Sequence, residues 1–453
     1  MTERSDSSRM WTFLVVWLGQ FVSLVGSGMT TFALGFWVLE QTGSNTRFTL
    51  VAFFGVLPGV VALPLAGALV DRWGGRRAML LADLGEGLCV LTAMLLAWTG
   101  QLSFATVCVL ALVNSLFGAM RWPAYSTLPP LLLPARHLGR ANGMIHAAEA
   151  GAAIVAPLAA GFLVTSLRLP GVLLMDLSTF VISMVTLLAV RAALPRPAPG
   201  PQPHDRAGTG RPSLGAEVAY GWSYIRARPG LWALLIFFAV TNFTVIGLAR
   251  TLYTPLILGF TSPKALGTLL SIGGAGLLLG AAAMTAWGGP RRRIHGVLGF
   301  TLIQGVVIIL GGLLPNAFLV GLSVFMLSFC FPIVTGSSQA LWQSKVALDV
   351  QGRVFSVRRM LGWSSLPLAY LVGGPLADHV FEPLLAPGGA LADSVGRFIG
   401  VGTGRGIALL YIVIGSLTVL TVIVSYQFAR LRHVEDELPD ALPSPAHPSW
   451  SGT

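Results

Sequence analysis

Apolar runs long enough to cross a bilayer as helices recur along the whole chain, separated by short polar breaks. They fall at about residues 11–39, 50–70, 78–98, 102–128, 142–167 and 172–190, then at 231–258, 266–287, 296–314, 317–342, 354–380 and 406–428. A backbone inside lipid must satisfy its own polar groups, so each run is expected to be helical. Only 10% of the residues are charged and 54% are hydrophobic, whereas a soluble domain carries roughly 25% charged residues. A water-facing globule is therefore excluded. The expected fold class is an all-α membrane protein with twelve transmembrane helices.

The net charge of +11 suggests nucleic acid until its distribution is followed. With the N-terminus inside, most Lys and Arg residues fall in cytoplasmic breaks. The outside receives Arg47, Arg168, Lys264, Arg397 and Arg405, and Arg121 and Arg250 fall within spans. This asymmetry places both ends in the cytoplasm of a multi-pass inner-membrane protein, with the bilayer and not nucleic acid as its partner. The polar first residues show no cleavage site, so the first span is expected to be retained. A Pro/Gly-rich stretch, 192–212, divides the chain after six spans. The expected organisation is a cytoplasmic N-terminus (1–10), a six-helix bundle (11–191), a linker with an amphipathic helix over Leu214–Arg226 (192–229), a second bundle (230–430) and a cytoplasmic tail (431–453). Leu214, Val218 and Ile225 share one face of that linker helix. Cys89, Cys108 and Cys330 lie inside apolar runs without metal or redox spacing and read as packing residues.

Between spans 2 and 3 the chain reads Gly67-Ala-Leu-Val-Asp71-Arg72-Trp73-Gly74-Gly75-Arg76-Arg77. The glycines permit a sharp reversal, and a carboxylate sits among arginines at the expected cytoplasmic face. The second half repeats parts of the first at a nearly constant offset. Gly67 pairs with Gly280, Gly139-Arg140 with Gly352-Arg353, and Trp73-Gly74-Gly75 with Trp287-Gly288-Gly289. Met284 and Thr285 stand where the first copy has Asp71, so a charged latch belongs to the first half alone.

The turn resembles the signature loop between helices 2 and 3 of the major facilitator superfamily. Gly67, Asp71, Arg72, Gly74 and Arg76 match it, Gly75 stands where a basic residue is usual, and Arg77 adds one beyond. Trp122-Pro123-Ala124 and Leu138-Gly139-Arg140-Ala141-Asn142 resemble the macrolide-efflux and siderophore-exporter branch, as does Gly373-Gly374-Pro375-Leu376-Ala377-Asp378. Ala156-Pro157-Leu158-Ala159-Ala160-Gly161 is similar to the antiporter motif of span 5, with alanines replacing two glycines. Small residues there allow close approach to span 8, where Gly273, Gly274, Gly276 and Gly280 are expected to supply the facing surface. The resemblance implies two pseudo-symmetric six-helix bundles, a cavity lined by spans 1, 4, 7 and 10, and alternating access. Aromatic and methionine side chains on those spans, among them Trp17, Phe36, Phe117, Phe325 and Phe331, would suit an amphipathic substrate.

Ionisable groups inside such a fold are costly and are candidates for function. Glu149 lies about 9 residues past Arg140, roughly 13 Å into the membrane at helical rise, with His146 one turn earlier; this pair heads the proton-coupling candidates. Asp83 and Glu86 on span 3 form a second pair, for which a supporting role is the competing reading. Asp176 lies near the outer end of span 6 and reads as a helix-end group. Arg121 is expected to snorkel to the inner interface. Arg250 is expected to meet either an acidic substrate or Asp378. No hydrolytic triad, metal-ligand set or cofactor motif emerges, so an enzyme is not expected. The reading is a proton-coupled exporter of small amphipathic, drug-like or natural-product molecules. An importer or uncoupled facilitator is the alternative, and a non-transporting receptor or scaffold is the reading from another class.

Overall fold

A computed structural model describes residues 2–126, 135–189, 214–346 and 350–437. The Pro/Gly stretch of the linker lies outside these residues, as do the tail beyond 437 and the side chains of Gly67, Asp71, Arg72 and His146. Ten of the described helices are long and apolar enough to cross a membrane. One continuous helical stretch, Ala135–Ala189, holds two passes. Arg168 breaks it with φ 55° and ψ −178°, and Pro170 follows. The break makes span 5 (135–167) and span 6 (169–189). Gln351–Pro375, extended through a π-turn at Leu376–Phe381, supplies span 11. The remaining spans are span 1 (Thr2–Thr42), span 2 (Asn45–Trp73), span 3 (Gly75–Trp98) and span 4 (Phe104–Ser126). Span 7 runs from Pro229 to Leu258, span 8 is Pro263–Trp287, span 9 Arg293–Leu313, span 10 Ala317–Lys345 and span 12 Arg405–Gln427.

Polar residues at the breaks start the helices by accepting bonds from unpaired N–H groups. Ser44 accepts from Arg47 N at 3.3 Å, Ser262 from Ala265 N at 3.3 Å, and Asn316 from Phe318 N at 2.8 Å. Between spans 2 and 3 the connection is one residue. Span 2 ends at Trp73, Gly74 adopts φ 79° and ψ 144°, and span 3 begins at Gly75. Only glycine takes that conformation without strain of about 1–3 kcal/mol. Gly288, the equivalent residue of the second half, also has positive φ, 75°. The repeat seen in the sequence is thus a repeat of a positive-φ glycine that ends the helix; Gly288 has ψ 1° where Gly74 has 144°, and span 9 begins only at Arg293. The second copy, where no carboxylate stands, is apolar at this point: the Met284 side chain lies where a Cβ added to Gly336 of span 10 would meet it at 3.1 Å.

Each half has its own packed interior. The linker helix Leu214–Arg226 buries Ile225 completely, and Trp222 meets Trp232 of span 7 edge-on at 5.2 Å. After span 12 the chain folds back. Val434 is fully buried, Arg293 N donates to Glu435 at 2.8 Å, and Lys345 Nζ donates to the Glu435 carbonyl at 2.5 Å. This short segment ties together the ends of spans 9 and 10.

The halves meet on the face away from the two termini, which is the outer face in the expected topology. Span 5 lies against span 8, and span 2 against span 11. A Cβ added to Gly161 would stand 2.7 Å from the Pro263 carbonyl, and one on Gly274 would stand 2.8 Å from that of Ala153. Ser271 Oγ donates to the Ile154 carbonyl at 2.6 Å across the same seam. One expectation is corrected here. Gly273, Gly276 and Gly280 do not face span 5; their added Cβ atoms would meet Val324, Phe325 and Phe329 of span 10. Helical phase explains this: Gly267 and Gly274 share one face of span 8, and the other three occupy the opposite one. On span 5, Pro157 and Gly161 face span 8, and Ala156 packs at Gly28 of span 1. Ala160 is also fully buried.

Candidate functional site

The structure gathers three charged or polar constellations. The first is inside the N-terminal bundle. Asp83 and Glu86, one turn apart on span 3, are 1% and 4% exposed. Arg121 of span 4 forms ion pairs with both, at 3.5 Å to Asp83 and in closer contact with Glu86. Ser183 of span 6 donates to Asp83 Oδ2 at 2.8 Å, and Gln20 of span 1 reaches the same oxygen at 3.3 Å and Ser183 at 2.7 Å. Four helices therefore converge on one acid. Arg121 also stands 5.7 Å from the ring centre of Phe180. Asp83 Oδ1 is buried and accepts no hydrogen bond among the described residues. Two carboxylates thus share one guanidinium, which Asp83 Oδ1 meets at 3.5 Å as an ion pair and not through a hydrogen bond.

This arrangement corrects the expectation that Arg121 snorkels. Helical side chains lean toward the helix N-terminus. Span 4 runs from the outer to the inner face, so its arginine leans into the bundle, where Asp83 and Glu86 stand. Glu149 falls outside the cluster and is exposed, within electrostatic reach of the buried Tyr125 phenol. Protein burial is supplied to the span 3 pair and not to Glu149. Asp176 is completely buried and accepts from Thr30 Oγ1 of span 1 at 2.5 Å and from Thr179 Oγ1 at 3.2 Å. It fastens span 6 to span 1.

The second constellation closes the outer face. Asp378 of span 11 accepts from Ser44 Oγ at 2.8 Å, Asn45 N at 3.1 Å, Asn45 Nδ2 at 2.7 Å and Thr46 N at 2.8 Å. A carboxylate of one half thus caps the first helical turn of the other, where the free N–H groups and the helix dipole favour an anion. Asp378 does not pair with Arg250, because its oxygens already serve this turn. Gly374, one turn earlier, gives the clearance: an added Cβ would stand 2.7 Å from the Asn45 carbonyl.

The third is a cavity of about 310 Å³ reached by spans 5, 7, 8, 9 and 10. Arg250, Tyr253, Gln304 and Ser328 line it, with Leu277 and Phe331 among its apolar walls. Most of the aromatic residues expected in a lining instead fill helix contacts. Trp17 stacks on Phe21 and donates to the Met144 carbonyl, and Phe325 stacks on Phe329 against span 8. Phe36 and Trp37 border a separate recess of about 980 Å³ at the outer end of the N-terminal bundle. At the opposite face, Arg76 is half-buried and Arg77 exposed beside the Gly74 turn.

The seam between spans 5 and 8 yields a direct expectation. Gly161→Leu places a side chain where even a Cβ lies 2.7 Å from the Pro263 carbonyl, so the outer seal cannot close fully. Transport should fall at least roughly tenfold, with membrane insertion unchanged. The check is initial rates per molecule inserted, and wild-type rates would show that this contact has no part in closure.

Comparison with known proteins places this architecture. The sequence profile of the Major Facilitator Superfamily matches residues 16–370. Macrolide efflux protein A of Streptococcus pyogenes is 26% identical over 376 residues, covering 81% of this chain and 90% of the relative. The multidrug efflux pump Tap of Mycobacterium tuberculosis is 29% identical over 388 residues, covering 82% and 88%. Among solved structures, an inward-facing, unoccupied bacterial homologue of the human lysosomal transporter Spinster superposes with a TM-score of 0.67 at 15% identity, covering 96% of this chain and 99% of that one. The POT family transporter PepTSo superposes with a TM-score of 0.69 at 13% identity, covering 94% and 99%. Two six-helix halves meeting at one face, a repeated glycine turn and a profile match across both halves agree: the chain belongs to the major facilitator superfamily, as a multi-pass membrane transporter and not an enzyme.

Proposed function

We propose that this transporter exports small amphipathic, drug-like or natural-product molecules across the cytoplasmic membrane in exchange for protons. Both termini are cytoplasmic in this reading, and the halves rock about the central cavity. The Asp71 turn holds the cytoplasmic ends together when the cavity faces outward. The printed names of the relatives, macrolide and multidrug efflux pumps, support export.

The observation that carries proton coupling is the Asp83–Glu86–Arg121 cluster. Its two acids and one base leave one negative charge uncompensated inside the membrane, which is costly. Taking up a proton on one of the two acids removes that charge. Gln20 and Ser183 connect the same acid to spans 1 and 6, so a change in its charge bears on helices that move with the cavity. Glu149 is the second candidate carrier, on a helix that forms the seam with span 8.

The test is accumulation of a panel of amphipathic drugs, acidic, neutral and basic, in cells with and without the protein, repeated after a protonophore collapses the gradient. Accumulation should be lower with the protein and should rise to the protein-free level on collapse. Protein-dependent uptake, or efflux that ignores the collapse, would overturn the reading.

A further inference from the structure

Span 7 carries a cation whose placement is built by its surroundings. The helix opens into a π-turn over Asn242–Ala249, and Arg250 follows directly. Each π-turn inserts a residue, so Arg250 stands about 100° from where an unbroken α-helix would put it. The turn is braced from neighbouring spans. Asn242 Nδ2 donates to the Gly362 carbonyl at 3.1 Å, and Gly247 makes room for Ala369 of span 11. The fully buried Tyr411 of span 12 donates its hydroxyl to the Ala249 carbonyl. These contacts hold the turn in a single phase.

That phase points Arg250 into the 310 Å³ cavity. Ile246, Arg250, Tyr253 and Thr254 follow helical spacing on one face and all line it. The guanidinium therefore turns to the cavity and away from lipid. Among the described residues it has no acidic partner and no hydrogen bond. The cation within the N-terminal bundle, Arg121, is by contrast held by two acids. Arg250 is exposed, so its donors stand open to the cavity, and an anion on the transported molecule would find there a cation free to form a charge-assisted, two-pronged bond.

We infer that Arg250 recognises a carboxylate on the transported molecule, so that the preferred substrates are acidic amphipaths whose apolar body lies along Leu277 and Phe331. This rests on the export reading for the word substrate, but its test does not depend on export. The purified full-length protein is placed in phosphatidylcholine nanodiscs, where no lipid headgroup with net negative charge competes. Binding of a dansyl-labelled fatty acid and of its methyl ester is followed by fluorescence at equilibrium.

The wild type should bind the acid more tightly than the ester. Arg250→Gln should weaken binding of the acid at least roughly tenfold and leave the ester unchanged, while Arg250→Lys keeps the preference for the acid. Equal binding of acid and ester by the wild type would overturn the assignment, as would equal weakening of both by Arg250→Gln. A wild type that binds the acid selectively but moves nothing across vesicle membranes would refute export and leave the anion site standing.

Discussion

Arg121→Met alone should remove most of the folded protein, and adding Asp83→Asn and Glu86→Gln should bring it back without restoring uphill transport. The single change leaves two carboxylates, 1% and 4% exposed, with no cation. Removing one partner of a buried ion pair costs about 3–5 kcal/mol. Replacing all partners by neutral groups of similar shape is often close to neutral, because the desolvation cost disappears with the charges. Folded yield is read as the monodisperse fraction of detergent-solubilised protein on a sizing column. Transport is then measured in vesicles with an imposed pH gradient. The triple variant should exchange labelled for unlabelled substrate but fail to concentrate it, since no proton can load and leave. If it concentrates substrate at the wild-type rate, the cluster has only a packing role and Glu149 becomes the leading carrier.

Asp378→Ala should unlatch the outer face. The carboxylate accepts four hydrogen bonds from the Ser44–Thr46 turn, and bonds to a charged group contribute about 1.5–3 kcal/mol each. Even if water replaces half of them, a few kcal/mol are lost from the outward-closed state alone, which moves the equilibrium by roughly a hundredfold. Leu270→Cys, on the cavity wall, reports this in a background lacking the three native cysteines. An impermeant thiol reagent should label position 270 slowly in the latched protein and much faster after Asp378→Ala. Unchanged labelling would mean that the seam between spans 5 and 8 closes the face without Asp378.

Apolar run length and the two glycine turns made most of the fold legible, because each follows from local chemistry. A run of such length in lipid can only be helix, and the repeated Trp-Gly-Gly marks a reversal wherever it occurs. What escaped depends on direction and phase. Depth along the helix alone sends Arg121 to the interface, whereas the course of span 4 and the lean of its side chain turn it into the bundle. The span 8 glycines were pooled, although their spacing already divides them between two faces. The Asp378 contact had no local signature at all, since its two parts lie 332 to 334 positions apart. Only the polar Ser44-Asn45-Thr46 run hinted that this helix start has several donors to satisfy. The bracing of Arg250 was equally hidden, because a π-turn leaves no periodic mark in a uniformly apolar span.

The one-residue connection at Gly74 also has a mechanical meaning. Span 2 is a rod of 29 residues, about 43 Å long at helical rise. One end is gripped by Asp378, and the other is joined through a single glycine to the helix that bears Asp83 and Glu86. Such a joint can pivot but has no slack to absorb a displacement along the rod. A shift at the outer grip is therefore passed along span 2 toward the foot of the carboxylate helix. The two ends of the molecule are geared together by a loop of one residue.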